Sequence, residues 1–273
     1  MSIEENFDPN GVGIKGTLFG LPFTTDNAQV VVIPVPWDVT VSYGAGTSEG
    51  PNAILDASSQ IDYEVPDLPN AWKLGVAMAE IPDVWYALGK SLRVKAEGYI
   101  EWLETGSDPA FKLKMEADLA EINKECHQLM TYVNQETAYW NAQGKTTILL
   151  GGDHSTSLGH IEACAAREGS IGILQIDAHC DLREAYEGFT YSHASVMRNV
   201  LQNDAITKLV QVGIRDYCPE ESDFITASNG RVVTFFDQHL KAGQYQGVHW
   251  HQQCEKISPL YRKRFISHLI SMG

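Results

Sequence analysis

The sequence predicts an α/β protein built as a three-layer sandwich, a mostly parallel sheet with helices on both faces. Three observations carry this. Short apolar runs recur at 29–35, 146–150, 171–176, 209–214 and 232–236, the pattern of strands buried on both faces. Helical stretches separate them, as the crossovers of a parallel sheet require. At 273 residues and 44% hydrophobic content, the chain can bury one large core, so a single domain over 1–273 is expected.

Composition narrows the function before any motif is considered. Twenty Lys and Arg stand against 35 Asp and Glu, a net charge of -15, which argues against nucleic acid as a partner. No basic stretch followed by an apolar core opens the chain, and no apolar run approaches the roughly 20 residues that a bilayer span needs. A cytoplasmic protein with no membrane partner is expected. The cysteines, Cys126, Cys164, Cys180, Cys218 and Cys254, are scattered and form no C-x-x-C pair. Neither a disulfide framework nor a zinc knuckle follows, and a reducing compartment fits.

In chain order, residues 1–27 are polar and glycine-rich and read as a surface arm. Q-V-V-V-I-P-V at 29–35 is a buried strand closed by Pro34 and Pro36. The loop that follows, 37–51, carries Gly44, Gly46 and Gly50; it stands where open α/β sheets bind ligands, although a mobile surface loop accounts for the same residues equally well. Pro51 suits the first turn of a helix over 51–59. Pro66, Pro69 and Pro82 break any helix between 61 and 82. A helix is expected over 85–103, with Gly89 and Gly98 as weak points, and a long one over 109–144. The long one carries an apolar stripe of Leu119, Ile122, Cys126, Leu129, Val133 and Trp140, which is a packing surface. The strand at 146–150 runs into G-G-D-H-S at 151–155, whose glycines allow a tight turn into a helix capped by Ser155 or Thr156 and reaching 167.

Chemistry concentrates at 173–183, I-L-Q-I-D-A-H-C-D-L-R. The strand delivers Asp177, His179 and Asp181 in alternation with Ala178 and Cys180, and on an extended backbone these three polar side chains share one face. Two carboxylates and an imidazole converging there would repel and lose hydration unless a cation neutralised them. A strand that simply ends in a polar loop is the alternative. Alternation points Cys180 away as a small filler residue instead of a thiolate ligand. His154, in the glycine turn, stands at the same kind of strand end and becomes a second ligand candidate once D-x-H-x-D is set beside it. The loop at 184–195 places Gly188 and His193 before a helix over 194–201, and Asp237, Gln238 and His239 follow the strand at 232–236.

G-G-D-H-S at 151–155, D-A-H-C-D at 177–181 and S-Y-G-A-G-T-S-E-G-P at 42–51 resemble, in order and separation, the ureohydrolase family of arginases, agmatinases and formimidoylglutamases, over residues 30–266. The resemblance implies an arginase-like open sheet with two manganese ions at its C-terminal edge. His154 and Asp181 would bind one ion and His179 the other, with Asp177 bridging them. It also implies hydrolysis of a linear guanidino compound: a metal-bound hydroxide attacks the guanidinium carbon and releases urea and an amine. Asp177 and His193 would be catalytic, His193 handling substrate and protons, and Asp153 would orient a ligand. Agmatine, giving putrescine, is the expected substrate, because no basic cluster near His193 demands a carboxylated one; this would place the chain in polyamine metabolism. A homo-oligomer is left open. A nucleotide-binding protein is disfavoured, since G-G-D-H-S lacks the glycine spacing and lysine that cradle phosphates.

The resemblance breaks at the family's third motif, a strand followed by S-F-D-x-D-G-x-D-P whose first two aspartates complete both metal shells. No D-x-D occurs after Asp181. The strand begins as R-F-I-S at 264–267 but continues H-L-I-S-M-G. Ser-His-Leu-Ile-Ser-Met-Gly can be encoded so that a shifted frame reads Phe-Asp-Ile-Asp-Gly, and a frame change just after Ser267 is therefore expected, with the C-terminal part of the fold missing. Loss of the two aspartates leaves the ion held by His179 under-coordinated, so weak or single-metal binding with little catalysis is expected. The sheet edge at Phe265 and Ile266 would be exposed. The alternative function is a non-catalytic, metal-binding relative. Sequencing the coding DNA is expected to show Asp-Ile-Asp-Gly-Leu-Asp-Pro continuing in the shifted frame; a downstream sequence without it contradicts the frame change.

Overall fold

Val30–Val35 is apolar at every position and buried at every position, and it forms the central strand, β1, of a three-stranded parallel sheet. The computed structural model describes residues 6–260 and 265–269, and it divides into two compact units, Met1–His160 and Ile161–Gly273. In the first unit α1 (Gly50–Ser58) has Pro51 in its first turn, β2 (Val76–Met78) pairs with β1 on one side, and α2 spans Asp83–Glu104. A 3-10 turn, Pro109–Phe111, is capped by the Asp108 carboxylate, which accepts from the Ala110 amide, and leads into α3 (Lys112–Ala142). β3 (Thr146–Gly151) pairs with β1 on its other side, with Val30 opposite Thr146 and Val35 opposite Gly151. The expected stripe of α3 is buried, from Ile122 through Cys126, Leu129 and Val133 to Trp140, while Leu119 is only half-buried.

Beyond α4 (Ser157–Glu168), the second unit holds β4 (Ile171–Ile176), α5 (Val196–Val200), β5 (Ile206–Ile214) and α6 (Pro219–Ala227). β6 (Val232–Phe236), α7 (Asp237–Tyr245), α8 (Trp250–Ile257) and β7 (Phe265–Leu269) complete it. Its four strands run in the order β6-β5-β4-β7, all parallel, and Val210, Val212 and Ile257 pack together with Leu174, Phe235, Leu240 and Leu260 against them. The α/β architecture with parallel strands is thus present, as two sheets. No described helix is long and apolar enough to cross a membrane.

One local expectation is corrected. Residues 6–27 are not a surface arm: Leu18, Leu21 and Phe23 are buried, and Leu21 and Phe23 join Ala28, Trp72 and Ala77 in one cluster on which Phe7, Phe19 and Tyr63 pack. The Tyr63 hydroxyl donates to the Phe19 carbonyl at 2.7 Å, and the Phe19 amide donates to Ser58 Oγ at 2.9 Å. Burial of each such side chain contributes about 1.5–3 kcal/mol, which outweighs the polar average of the segment. Asp237, Gln238 and His239, which follow the strand, open helix α7. Residues 1–5 of the expected arm, Arg264 at the start of the last expected strand, and residues 270–273, where the frame change would run on, lie outside the described residues.

The turn after β3 shows why G-G is required there. The Gly152 amide donates to the Val35 carbonyl at 3.0 Å and the Asp153 amide to the Trp37 carbonyl at 2.8 Å, so the turn lies directly on the end of β1. A Cβ on Gly152 would sit 1.8 Å from the Trp37 carbonyl oxygen. Gly98, inside α2, has nothing within 4 Å of that position. Gly152→Ala is therefore expected to lower stability by at least ~2 kcal/mol and Gly98→Ala to raise it by ~0.5–1 kcal/mol in chemical denaturation. A Gly152→Ala protein as stable as its parent would contradict the packing described.

Candidate functional site

In the first unit, two loops at strand ends are fixed by buried polar groups. Asp38, 3% exposed, follows β1, and its Oδ2 accepts from the Gly46 amide at 2.7 Å and the Ser48 amide at 3.1 Å. The Arg93 guanidinium, projecting from α2, donates to the Val39 and Val41 carbonyls and pairs with Glu97. The glycine-rich loop 37–51 is therefore tied at both ends, by a carboxylate that collects amides and a guanidinium that collects carbonyls. His154 begins the 3-10 turn His154–Thr156. The cap of this turn is Asp153, whose carboxylate accepts from the Ser155 amide at 2.9 Å.

In the second unit the strand ends at Ile176 and the chain bends at Ala178, so Asp177, His179 and Asp181 do not meet by simple alternation along an extended backbone. Asp177 folds back on its own chain: Oδ1 accepts from the His179 amide at 3.0 Å, the local hydrogen bond that aspartate characteristically makes two residues on. The Asp177 amide donates to Val212 O at 3.1 Å, beside a register shift at Gly213, where φ is +93° and a Cβ would lie 3.2 Å from Asp177 O. Asp181 adopts φ +54°, a left-handed conformation uncommon outside glycine. Two amides, Met197 N at 3.0 Å and Arg198 N at 3.2 Å, hold it there through its carbonyl.

This bend still brings the two carboxylates together. Asp177 is 6% exposed and Asp181 5%, and an oxygen of each lies within 4.8 Å of one from the other. Aspartates are seldom buried to this extent without a balancing partner. The Asp177 carboxylate accepts from the His179 amide and from Gln175 Nε2, the latter at 2.8 Å. The His179 ring is half-buried between two acids, Nδ1 3.9 Å from Asp177 Oδ1 and Nε2 3.7 Å from Asp216 Oδ2, and its backbone forms a bridge with Asp216. Oxygen donors with a neighbouring imidazole suit a hard divalent cation such as manganese. Cys180 does not: it is fully buried, and burial, followed by the carboxylates of Glu221, Asp181 and Asp177, pushes its thiol upward, so it stays neutral.

Three residues that sequence reasoning passed over support this bend. Glu221, 3% exposed in the first turn of α6, accepts from Leu182 N at 3.0 Å and from Cys218 N at 2.9 Å. Gln175 and Gln211, each fully buried, reach the segment from β4 and β5. Only the P-E-E that opens α6 could have signalled any of them, as a helix start. His193 begins the 3-10 turn His193–Ser195; its Nδ1 lies 3.5 Å from Ser192 Oγ, and Ser192 caps the turn by accepting from the Ala194 amide. Of the expected site residues, Asp177, His179 and Asp181 stand together in the second unit, and His154 is held in the first.

Comparison with known proteins follows the same residues. A sequence model described as the arginase family matches residues 28–248. The chain is 30% identical over 210 residues to an N(1)-aminopropylagmatine ureohydrolase of Synechocystis sp., which covers 74% of this chain and 56% of that one. Among solved structures, the agmatine ureohydrolase of Thermoplasma volcanium aligns with a TM-score of 0.62 over 98% of this chain and 73% of that one, at 20% identity. A formiminoglutamase of Trypanosoma cruzi, solved with Mn2+, aligns with a TM-score of 0.61 over 91% and 71%, at 15% identity. At these identities the structural matches show the fold. The chain spans less than two thirds of the length of the relatives it matches in sequence.

Proposed function

The chain belongs to the arginase family, and from that premise we propose that the protein hydrolyses linear guanidino compounds, with manganese as cofactor, releasing urea and an amine. The observation that carries this reading is the pair of buried carboxylates, Asp177 and Asp181, whose oxygens lie within 4.8 Å beside the His179 imidazole. Such a pair accumulates negative charge where solvent cannot screen it, and a divalent cation balances it. Asp177 and Asp181 would hold that cation, His154 would join them as the motifs of the family imply, and His179 would begin the second of the two ion sites. Manganese, when bound, supplies Lewis acidity and a nucleophile at neutral pH.

The remaining roles fall to side chains. Asp177 is oriented by the His179 amide and Gln175, which hold its carboxylate in one position. The Ser192 hydroxyl beside His193 Nδ1 orients the imidazole and leaves Nε2 to exchange a proton with the substrate. A guanidino cation is attracted by the net charge of -15. Agmatine is the substrate of first choice, since the names of the Synechocystis and Thermoplasma relatives both refer to agmatine compounds, which carry amines and no carboxylate. Five free cysteines fit a reducing, cytoplasmic location.

A second reading, a metal-binding relative without catalysis, is favoured by one observation: R-F-I-S at 264–267 is followed by H-L-I and not by an Asp-x-Asp. A urea-release assay with added manganese, run over agmatine, N(1)-aminopropylagmatine and arginine, separates the readings. Slow urea release, fastest from an agmatine-type substrate, is expected. Asp181→Asn keeps a residue that tolerates the left-handed backbone but removes the charge, and should cut the rate at least about a hundredfold. Manganese binding without urea would overturn catalysis and leave the second reading; absence of both would overturn the two together.

A further inference from the structure

Positions 175, 211 and 234 are register partners on three adjacent parallel strands, Gln175 opposite Gln211 and Gln211 opposite Thr234. Their side chains join in one row. Thr234 Oγ1 donates to Gln211 Oε1 at 2.8 Å, Gln211 Nε2 donates to Gln175 Oε1 at 2.8 Å, and Gln175 Nε2 donates to Asp177 Oδ2 at 2.8 Å. Each amide spends its second N–H on the bend: Gln211 on Cys180 O at 2.7 Å and Gln175 on His179 O at 3.2 Å. Both glutamines are 0% exposed.

The direction of this row is forced. His179 O and Cys180 O are carbonyls, able only to accept, so both glutamines must turn their NH2 groups toward the bend; flipping either would set carbonyl against carbonyl. Two primary amides in the middle of a sheet are costly if any polar group is left unpaired, and aliphatic residues would fill the same space without that liability. Here every N–H and C=O of the pair is used, and all of that polarity is aimed at residues 177–180. We propose that Gln175, Gln211 and Thr234 are positioning residues, a one-way hydrogen-bonded row across three strands that fixes the Asp177 carboxylate and the bend behind it in the form that accepts a divalent cation. The proposal deepens the reading of Asp177 as a metal ligand and rests on it. The row acts through Asp177 and touches neither substrate nor metal.

The test uses Gln175→Met, Gln211→Met and Thr234→Val in the full chain, with two readouts: manganese affinity by chelator competition, and amide hydrogen exchange across residues 177–182 in metal-free protein. Manganese affinity should fall about 10–100-fold for Gln175→Met, less for Gln211→Met and only a few-fold for Thr234→Val, in order of distance from Asp177. Exchange at residues 177–182 should quicken in the same order. A merely structural role would lower thermal stability while leaving affinity and the local exchange at parental values, and that result in the two glutamine variants overturns the proposal. If both fail to fold, parental affinity and exchange in Thr234→Val overturn it. Should the parent itself bind no manganese, the metal reading of the site falls; unchanged exchange in the variants would then overturn the positioning row, and quickened exchange would uphold its hold on the bend.

Discussion

Two carboxylates buried within 4.8 Å of each other impose most of what surrounds them in the second unit. Charge of one sign, out of reach of solvent, has to be balanced by donors or by a cation. The protein supplies donors on one side: the His179 amide and Gln175 Nε2 both point at Asp177. It supplies rigidity on the other. Asp181 is held at φ +54° through two amides on its carbonyl, and the next amide, Leu182 N, is taken by the buried Glu221. Strain of this kind persists only where the surroundings over-determine the backbone, and at functional sites that is the usual reason for finding it.

The same logic of fixed strand ends recurs in the first unit with different parts. Gly152 lies so close to Trp37 that no side chain fits, and Asp38 and Arg93 hold the glycine-rich loop, one through its amides and the other through its carbonyls. In both units the strand contributes a rigid launching point and the segment after it carries the polar groups. Loops so constrained present side chains with little conformational entropy left to lose on binding a ligand.

What the sequence made legible follows from the physics of each signal. β1 and β4 could be read because parallel strands buried on both faces leave continuous apolar runs, and α3 because its stripe repeats at helical spacing; β3 was found from the same kind of run, but the burial expected of it is corrected, since its residues are half-buried or exposed. Asp177, His179 and Asp181 could be named as a group, but the reason first given for their meeting, an extended backbone, was not the one realised. Nothing in D-A-H-C-D announces how its bend is held, because the His179 and Cys180 carbonyls take their donors from β4 and β5. Gln175 and Gln211 were invisible for a related cause. A glutamine in an apolar strand shows no partner in one dimension, and its role exists only once strand register sets the two side by side. Leu21 and Phe23 were hidden by the glycines and polar residues around them, their partners Trp72 and Ala77 lying some 50 residues further on.

The central claim is that the buried Asp177 and Asp181 carboxylates hold a divalent cation. Manganese content per chain, measured by elemental analysis after gel filtration of the parent and of an Asp177→Asn/Asp181→Asn double variant, tests it most directly. The account predicts retained manganese in the parent and background levels in a folded double variant. Equal manganese in both proteins would contradict it.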